Sequence, residues 1–199
     1  YWKYGLDNET EEEFSLRMAK NLEEKIIKED PETIAGFVAE PVQGAGGCIP
    51  PSKSYFDLVQ PILKKYNIPF IADEVICGFG RTGNLWGCDT YNIKPDIIIS
   101  SKCLTAGYFP MGAVIVNKEF SDKFVEVSEE AEEFPHGFTA GGHPVGCAIA
   151  LKAIDVIINE GLLENVKLME PYFFERLNEF NDYDHIGETR GIGLMAALE

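Results

Sequence analysis

The chain has 199 residues, with 17 Lys and Arg against 33 Asp and Glu, and a formal net charge of −16. So acidic a surface argues against nucleic acid and against an anionic membrane as partners, because both repel it. With 45% hydrophobic and 12% aromatic residues the composition supports a sizeable folded core.

Residues 1–10 read as irregular. Thr10-Glu11-Glu12-Glu13 then fits a capping box. Phe14, Met18, Leu22 and Ile26 follow at a helical spacing, which predicts an amphipathic helix to about Glu29, with Pro31 beyond its end. Residues 34–39 predict a strand, stopped by Glu40-Pro41. Val42-Gln43-Gly44-Ala45-Gly46-Gly47 is a glycine-rich loop, suited either to a plain turn or to close approach of backbone to a ligand. Residues 52–66 predict a helix with Phe56, Val59, Ile62, Leu63 and Tyr66 on one face. The apolar run Ile68-Pro69-Phe70-Ile71-Ala72 leads straight into Asp73. Strand, helix and strand in this order are the signature of a parallel sheet with crossover helices.

Gly78-Phe79-Gly80-Arg81-Thr82-Gly83 matches GxGxxG and follows a strand. A dinucleotide fingerprint must also open a helix that packs on the sheet. Residues 84–95 hold Gly87, Asn92 and Pro95 and show no helical apolar period, and Asp73-Glu74 would repel a pyrophosphate. NAD is therefore not expected here. Asp96-Ile97-Ile98-Ile99-Ser100-Ser101 is the next strand, and it runs into Lys102. The stretch from Lys102 to Gly112 is too short for a crossover helix, which predicts that residues 112–117 return antiparallel.

Residues 119–133 predict a charged helix giving way to a mobile loop. Pro135-His136-Gly137-Phe138-Thr139-Ala140-Gly141-Gly142-His143-Pro144 is a second glycine-rich loop. It leads into residues 145–160, an almost wholly apolar helix expected to be buried. Small residues, backbone N–H groups and a hydroxyl before a helix suit an anion. His136 and His143 have no third ligand in view, so no metal is expected. Gly161 breaks the helix, residues 162–180 predict another, and residues 190–198 read as the last strand. Cys48, Cys77, Cys88, Cys103 and Cys147 are odd in number and form no CxxC, which points to reduced thiols and a cytoplasmic location. No apolar run approaches the ~20 residues of a membrane span, and no signal peptide is recognisable at Tyr1.

Open α/β sheets bind ligands at the carboxyl ends of their strands. Asp73 and Lys102 therefore face one crevice. A fixed Lys to form a Schiff base and a fixed Asp to pair with a pyridinium nitrogen are what a pyridoxal phosphate enzyme needs.

Four segments, AEPVQGAGG, FIADEVICGFGRTG, DIIISSKCLTAGYFPMGAV and HGFTAGGHPVGCA, resemble in sequence and order the class III aminotransferases. These are fold type I pyridoxal phosphate enzymes that include the ω-amino acid and amine transaminases. The resemblance implies an α/β fold: part of a mainly parallel-sheet large domain with crossover helices over residues 1–160, and the start of a small α/β C-terminal domain over 161–199. It implies that the chain is a central piece of a longer enzyme and is itself inactive. It makes Lys102 the Schiff-base lysine and Asp73 the partner of the pyridine nitrogen, with Val75 against the ring. Thr139, with Gly137 and Phe138, would bind the phosphate of pyridoxal 5'-phosphate across the interface of a homodimer. Glu40 matches an acid on the substrate side. Where many ω-amino acid members carry a second acid this chain has Ala45, and where others carry Gln it has Ile76. The implied activity is ping-pong transfer of an amino group from an amine or amino acid donor to a keto acid. A decarboxylating transaminase or aminomutase on the same cofactor, or a non-catalytic piece contributing only dimer surface, are the alternatives.

Overall fold

The structure, a computed structural model, describes residues 4–131 and 136–199. Helix α1 (Glu11–Glu29) begins as its capping box requires: Thr10 Oγ1 accepts from the Glu13 N–H at 3.2 Å, and the Glu13 carboxylate accepts from the Thr10 N–H at 2.9 Å. A 3₁₀ turn at Pro31–Thr33 delays the first strand, so β1 covers only Phe37–Ala39. Helix α2 (Tyr55–Lys65) crosses to β2 (Phe70–Asp73). The segment after β2 contains one short helix, α3 (Gly87–Thr90), where the sequence offers no helical period. Strand β3 (Ile97–Ser100) and strand β4 (Ala113–Val116) follow.

These four strands form one sheet in chain order, β1-β2-β3-β4. The first three are parallel and β4 returns antiparallel, as its short connection dictates. Phe37 is level with Phe70, Ala39 with Ala72, and Ala72 with Ile98. That register puts Phe37, Ala39, Phe70, Ala72, Ile98 and Ser100 on one face. This face packs on Phe56, Val59 and Leu63 of α2 and on Cys88 and Ile93, with α1 outside them contributing Ala19 and Ile26. Phe56 stacks on Phe70 at 5.8 Å between ring centroids and touches Tyr91 at 6.2 Å. The opposite face carries Val38, Ile71, Ile97, Ile99 and Val114, with Val38 and Val114 at 58% and 68% exposure.

Asp96 locks the amino ends of the parallel pair. Its Oδ2 accepts the Phe70 N–H at 2.9 Å, its Oδ1 accepts from Asn117 Nδ2 at 2.8 Å, and its backbone bonds both Phe70 and Asn117. Helix α4 (Lys118–Ala131) follows; the loop expected beyond it falls in residues 132–135, outside the described residues.

Helices α5 (Pro144–Asn159) and α6 (Leu162–Asn178) form a hairpin. The expectation that α5 is buried needs correcting. Only Gly146, Ala150 and Ile157 are buried, while Val145, Ile158 and Leu151 are exposed, the last at 71%. Apart from the exposed polar strip of Lys152, Asp155 and Asn159 the helix is apolar, and the described residues cover only part of that surface. The single last strand is also corrected, to a hairpin of β5 (Thr189–Ile192) and β6 (Met195–Leu198). Gly193 makes the turn, and the hairpin packs Ile192 and Met195 against Val42 and Cys77. No described helix is long and apolar enough to cross a membrane.

Phe56 joins helix, sheet and the residues near α3, so Phe56→Ala is expected to lower stability by about 3–5 kcal/mol. Chemical denaturation followed by far-UV circular dichroism measures it.

Candidate active site

Parallel strands in register end together. Glu40 follows β1 directly, Asp73 ends β2, and Lys102 lies just beyond β3. The thiol of Cys77 sits among the acids at this edge. It is fully buried and donates to the Val42 carbonyl at 3.3 Å. Burial first, and then the charges of Glu74, Glu40 and Asp73, push its pKa up to about 12. Glu40 and Asp73, read separately from the sequence, thus belong to one cluster, and Glu74 is its third carboxylate.

Asp73 and Glu74 are neighbours with opposite surroundings. The pleat turns successive side chains to opposite sides. Asp73 shares the face of Ile71 and Ile99 and is half-buried. Its Oδ1 accepts the Val75 N–H at 3.0 Å. Glu74 is turned inward and fully buried. Its Oε2 accepts the Gly87 N–H at 2.9 Å and its Oε1 the Cys88 N–H at 2.6 Å. Burial raises its pKa, opposed by those bonds. Glu74 thereby starts α3, a helix made by a tertiary contact rather than by local propensity. In the sequence Glu74 shows only as a negative charge beside Asp73. The alternation of the strand was the signal that it would face inward.

Lys102 is mounted on a tight turn. It opens a 3₁₀ turn (Lys102–Leu104) with φ of 40°, a left-handed conformation rare for a side chain of this kind. Such geometry persists where the surroundings over-determine it. Ser101 Oγ donates to the Met111 carbonyl at 3.1 Å, and the buried Thr105 Oγ1 donates to the Phe109 carbonyl at 2.6 Å. Leu104 is buried beneath. The amine itself is exposed.

Around these groups, Glu40 Oε2 accepts the Gly44 N–H at 2.8 Å, which folds the glycine-rich loop back over the end of β1. Ile76 packs on Gly44, where a β-carbon would lie 2.4 Å from Ile76 Cδ1. Val75 is half-buried beside Asp73. The GxGxxG glycines do not open a helix on the sheet; Gly80 and Gly83 approach Leu163 and Lys167 of α6. The second glycine-rich loop is exposed at Gly137, Phe138 and Thr139, with Phe138 at 79%. It leads into α5, whose first turn packs on the turn after Lys102: the His143 ring lies 5.0 Å from Phe109, and Gly146 meets Phe109 and Met111. The structure therefore brings Glu40, Asp73, Val75 and Lys102 to one edge, and places Thr139 on an exposed loop. Among the described residues no group of three His, Cys, Asp or Glu could hold a metal ion.

A family model described as Aminotransferase class-III matches residues 2–199. Gamma aminobutyrate transaminase 1, mitochondrial, of Solanum lycopersicum is 55% identical over all 199 residues, which span 39% of its own length. An omega-aminotransferase from Paracoccus denitrificans has a TM-score of 0.97 and 62% identity, covering all of this chain and 44% of that one. An aminotransferase from Vibrio fluvialis, solved in a PMP-bound form, has a TM-score of 0.96 and 64% identity with the same coverage.

Cys77 and the buried Cys88 are both pushed upward, chiefly by burial and then by neighbouring charge or hydrogen bonding. Since the thiolate is the reactive form, native alkylation at about pH 8 is expected to spare both until denaturant is added. Peptide mass mapping before and after unfolding reads the difference.

Proposed function

The chain belongs to the class-III aminotransferase family, and on that premise we propose that it is the central part of a longer enzyme catalysing pyridoxal phosphate-dependent transamination. One observation carries the reading: adjacent parallel strands deliver a carboxylate, Asp73, and an amine, Lys102, to the same sheet edge. That donor set fits the cofactor. When bound, pyridoxal phosphate supplies an aldehyde that captures amines and a ring that accepts the electrons of a broken C–H bond. Lys102 Nζ would supply the resident amine that holds the cofactor and, once free, the base that takes the substrate's α-proton and returns it. The turn at residues 101–111, tied by Ser101 and Thr105, would hold that amine in one place. With Asp73 Oδ1 accepting the Val75 N–H, Oδ2 would be the oxygen that pairs with the pyridine nitrogen. It holds that nitrogen's proton through a charge-assisted bond, about twice as strong as a neutral one. Val75 would pack against the ring.

Thr139, with Gly137 and Phe138, binds the phosphate of a second subunit in a homodimer. The exposure of that loop and of the apolar side of α5 supports this arrangement. Glu40 stands on the substrate side. The large domain runs to residue 160, and the α6 helix begins the connection to a small domain. The five free cysteines favour a reducing compartment such as the cytoplasm. An amine or amino acid is the donor and a keto acid the acceptor. Ala45 favours an amine donor, in line with the omega-aminotransferase likeness. A second reading, 4-aminobutyrate as donor, rests on the 55% identity to a plant enzyme of that name.

In the full-length enzyme Lys102→Ala is expected to abolish borohydride trapping of the cofactor and to lower turnover by about 10³-fold. Trapping that persists on another lysine removes the assignment. Asp73→Asn is expected to keep the fold and slow the half-reaction with amine far more than it weakens cofactor binding. Stopped-flow rates set beside an equilibrium titration test that split; small changes in both would leave Asp73 a structural acid. A donor screen distinguishes the two substrate readings, and release of carbon dioxide, or isomerisation without a second substrate, would point to a different reaction on the same cofactor.

A further inference from the structure

Glu74 is a carboxylate in a place where an apolar side chain would be easier to bury. At 0% exposure it has left water entirely, and an ionised group there needs partners. The Gly87 and Cys88 N–H groups supply them, one on each oxygen, and the Cys88 thiol is hydrogen-bonded to the carboxylate as well. The contact requires glycine at residue 87. A β-carbon there would lie 2.7 Å from Cys77 Cβ, 2.9 Å from Pro41 Cβ and 3.1 Å from Glu74 Oε2. Pro41 follows Glu40 and Cys77 follows the turn after Asp73, so this packing ties the ends of β1 and β2 to residues 86–88.

The backbone of Glu74 is held as firmly as its side chain. Its N–H donates to the Ile99 carbonyl of β3 at 2.9 Å, and its carbonyl accepts the Gly78 N–H at 2.9 Å. Between these fixed points lies Val75, whose N–H meets Asp73 Oδ1 at 3.0 Å. The direction of the Asp73 carboxylate is therefore set by the Val75 N–H, and the direction of that N–H by how Glu74 is anchored.

We propose that Glu74 is a positioning residue: its buried carboxylate, clamped by the Gly87 and Cys88 N–H groups, fixes the turn that aims Asp73 at the pyridine nitrogen. The proposal rests on the pyridoxal phosphate reading above. Around Glu74 the charged or titratable groups are Asp73, Cys77, Cys88 and Asp89, with Glu40 joining them around Cys77. There is no cation among these groups, so the two backbone donors hold the carboxylate, with the Cys88 thiol beside them. Gln at residue 74 would turn an amide N–H₂ toward one of the two donors. The turn would shift, and Asp73 would lose its aim without losing its charge.

The test uses the full-length enzyme, and the decisive readout is the pH midpoint of the absorbance change of bound pyridoxal phosphate. Positive charge on the ring nitrogen disfavours a second proton nearby, and Asp73 holds that charge in place. Glu74→Gln is expected to move the midpoint upward by about half a pH unit or more. It is also expected to lower kcat about tenfold or more, with KM for the donor within about twofold of wild type. Val59→Ala, a core change in α2, serves as the destabilised control and is expected to lower the unfolding midpoint without moving the spectral one. Where Glu74→Gln does not fold, Glu74→Asp is read in the same way, since it keeps the charge but falls short of both donors. A spectral midpoint within about 0.2 units of wild type overturns the proposal, whatever happens to kcat. Wild-type protein that takes up no pyridoxal phosphate overturns the cofactor reading itself, and that is seen before any variant is made.

Discussion

The register of β2 against β3 is the constraint on which the rest depends. Asp73 is level with Ile99, and the next N–H, that of Glu74, still bonds the Ile99 carbonyl. Side chains alternate with a period of two, so a slip of one residue would exchange faces. Glu74 would then stand in the crevice and Asp73 would be driven into the packing around Cys77. The apolar residues of β2 enforce the correct choice, because Phe70 and Ala72 are the pair that fits beneath α2. Hydrophobic packing on one side of the sheet thus decides which of two adjacent carboxylates meets solvent on the other.

Acids serve opposite ends of the same strands. At the amino ends of the parallel strands Asp96 accepts from the Phe70 N–H and from Asn117, fastening the starts of β2 and β3 to the end of the antiparallel β4. Hydrogen bonds to a charged group contribute about 1.5–3 kcal/mol each, so this clamp matters against the few kcal/mol by which domains are stable. At the carboxyl ends Glu74 is spent inside the structure and Asp73 is left half-open. The hairpin of β5 and β6 reaches the same edge from the far end of the chain: Arg190 Nε donates to the Gly47 carbonyl at 2.9 Å, and Met195 packs with Val42 and Cys77. The glycine-rich loop after β1 is therefore gripped on both sides, by Glu40 within and by Arg190 beyond.

What was legible in the sequence was what local chemistry decides. The capping box at Thr10, the β-branched runs before Asp73 and Lys102, and the short connection that forces β4 to return antiparallel all appear where their residues place them. Asp73 and Lys102 stood out because each ends an apolar run. The features that escaped are set at a distance. Helix α3 is started by Glu74, 13 residues earlier, which accepts its first N–H groups, with Asp89 accepting the Trp86 N–H locally. The burial of α5 was misjudged because composition records what a helix would prefer to touch, not which elements reach it. The β5–β6 turn is hidden in the sequence because a lone Gly193 also suits a continuous strand, whereas its φ of 59° is turn geometry. Glu74 itself needed only the alternation rule, applied one residue past the strand.

The sheet's spatial order repeats its chain order, β1-β2-β3-β4. Each strand lies beside the one made just before it, and no later strand has to be threaded between two earlier ones. Parallel pairing is slow when it joins distant segments, since loop closure comes before the contacts that reward it. Here each closure joins strands that are consecutive in the chain, through α2, through the segment that holds α3, and through the turn after β3. A polypeptide emerging from the ribosome can lay this sheet down one strand at a time, and the edge that gathers Glu40, Asp73 and Lys102 is complete once the turn after β3 has been made.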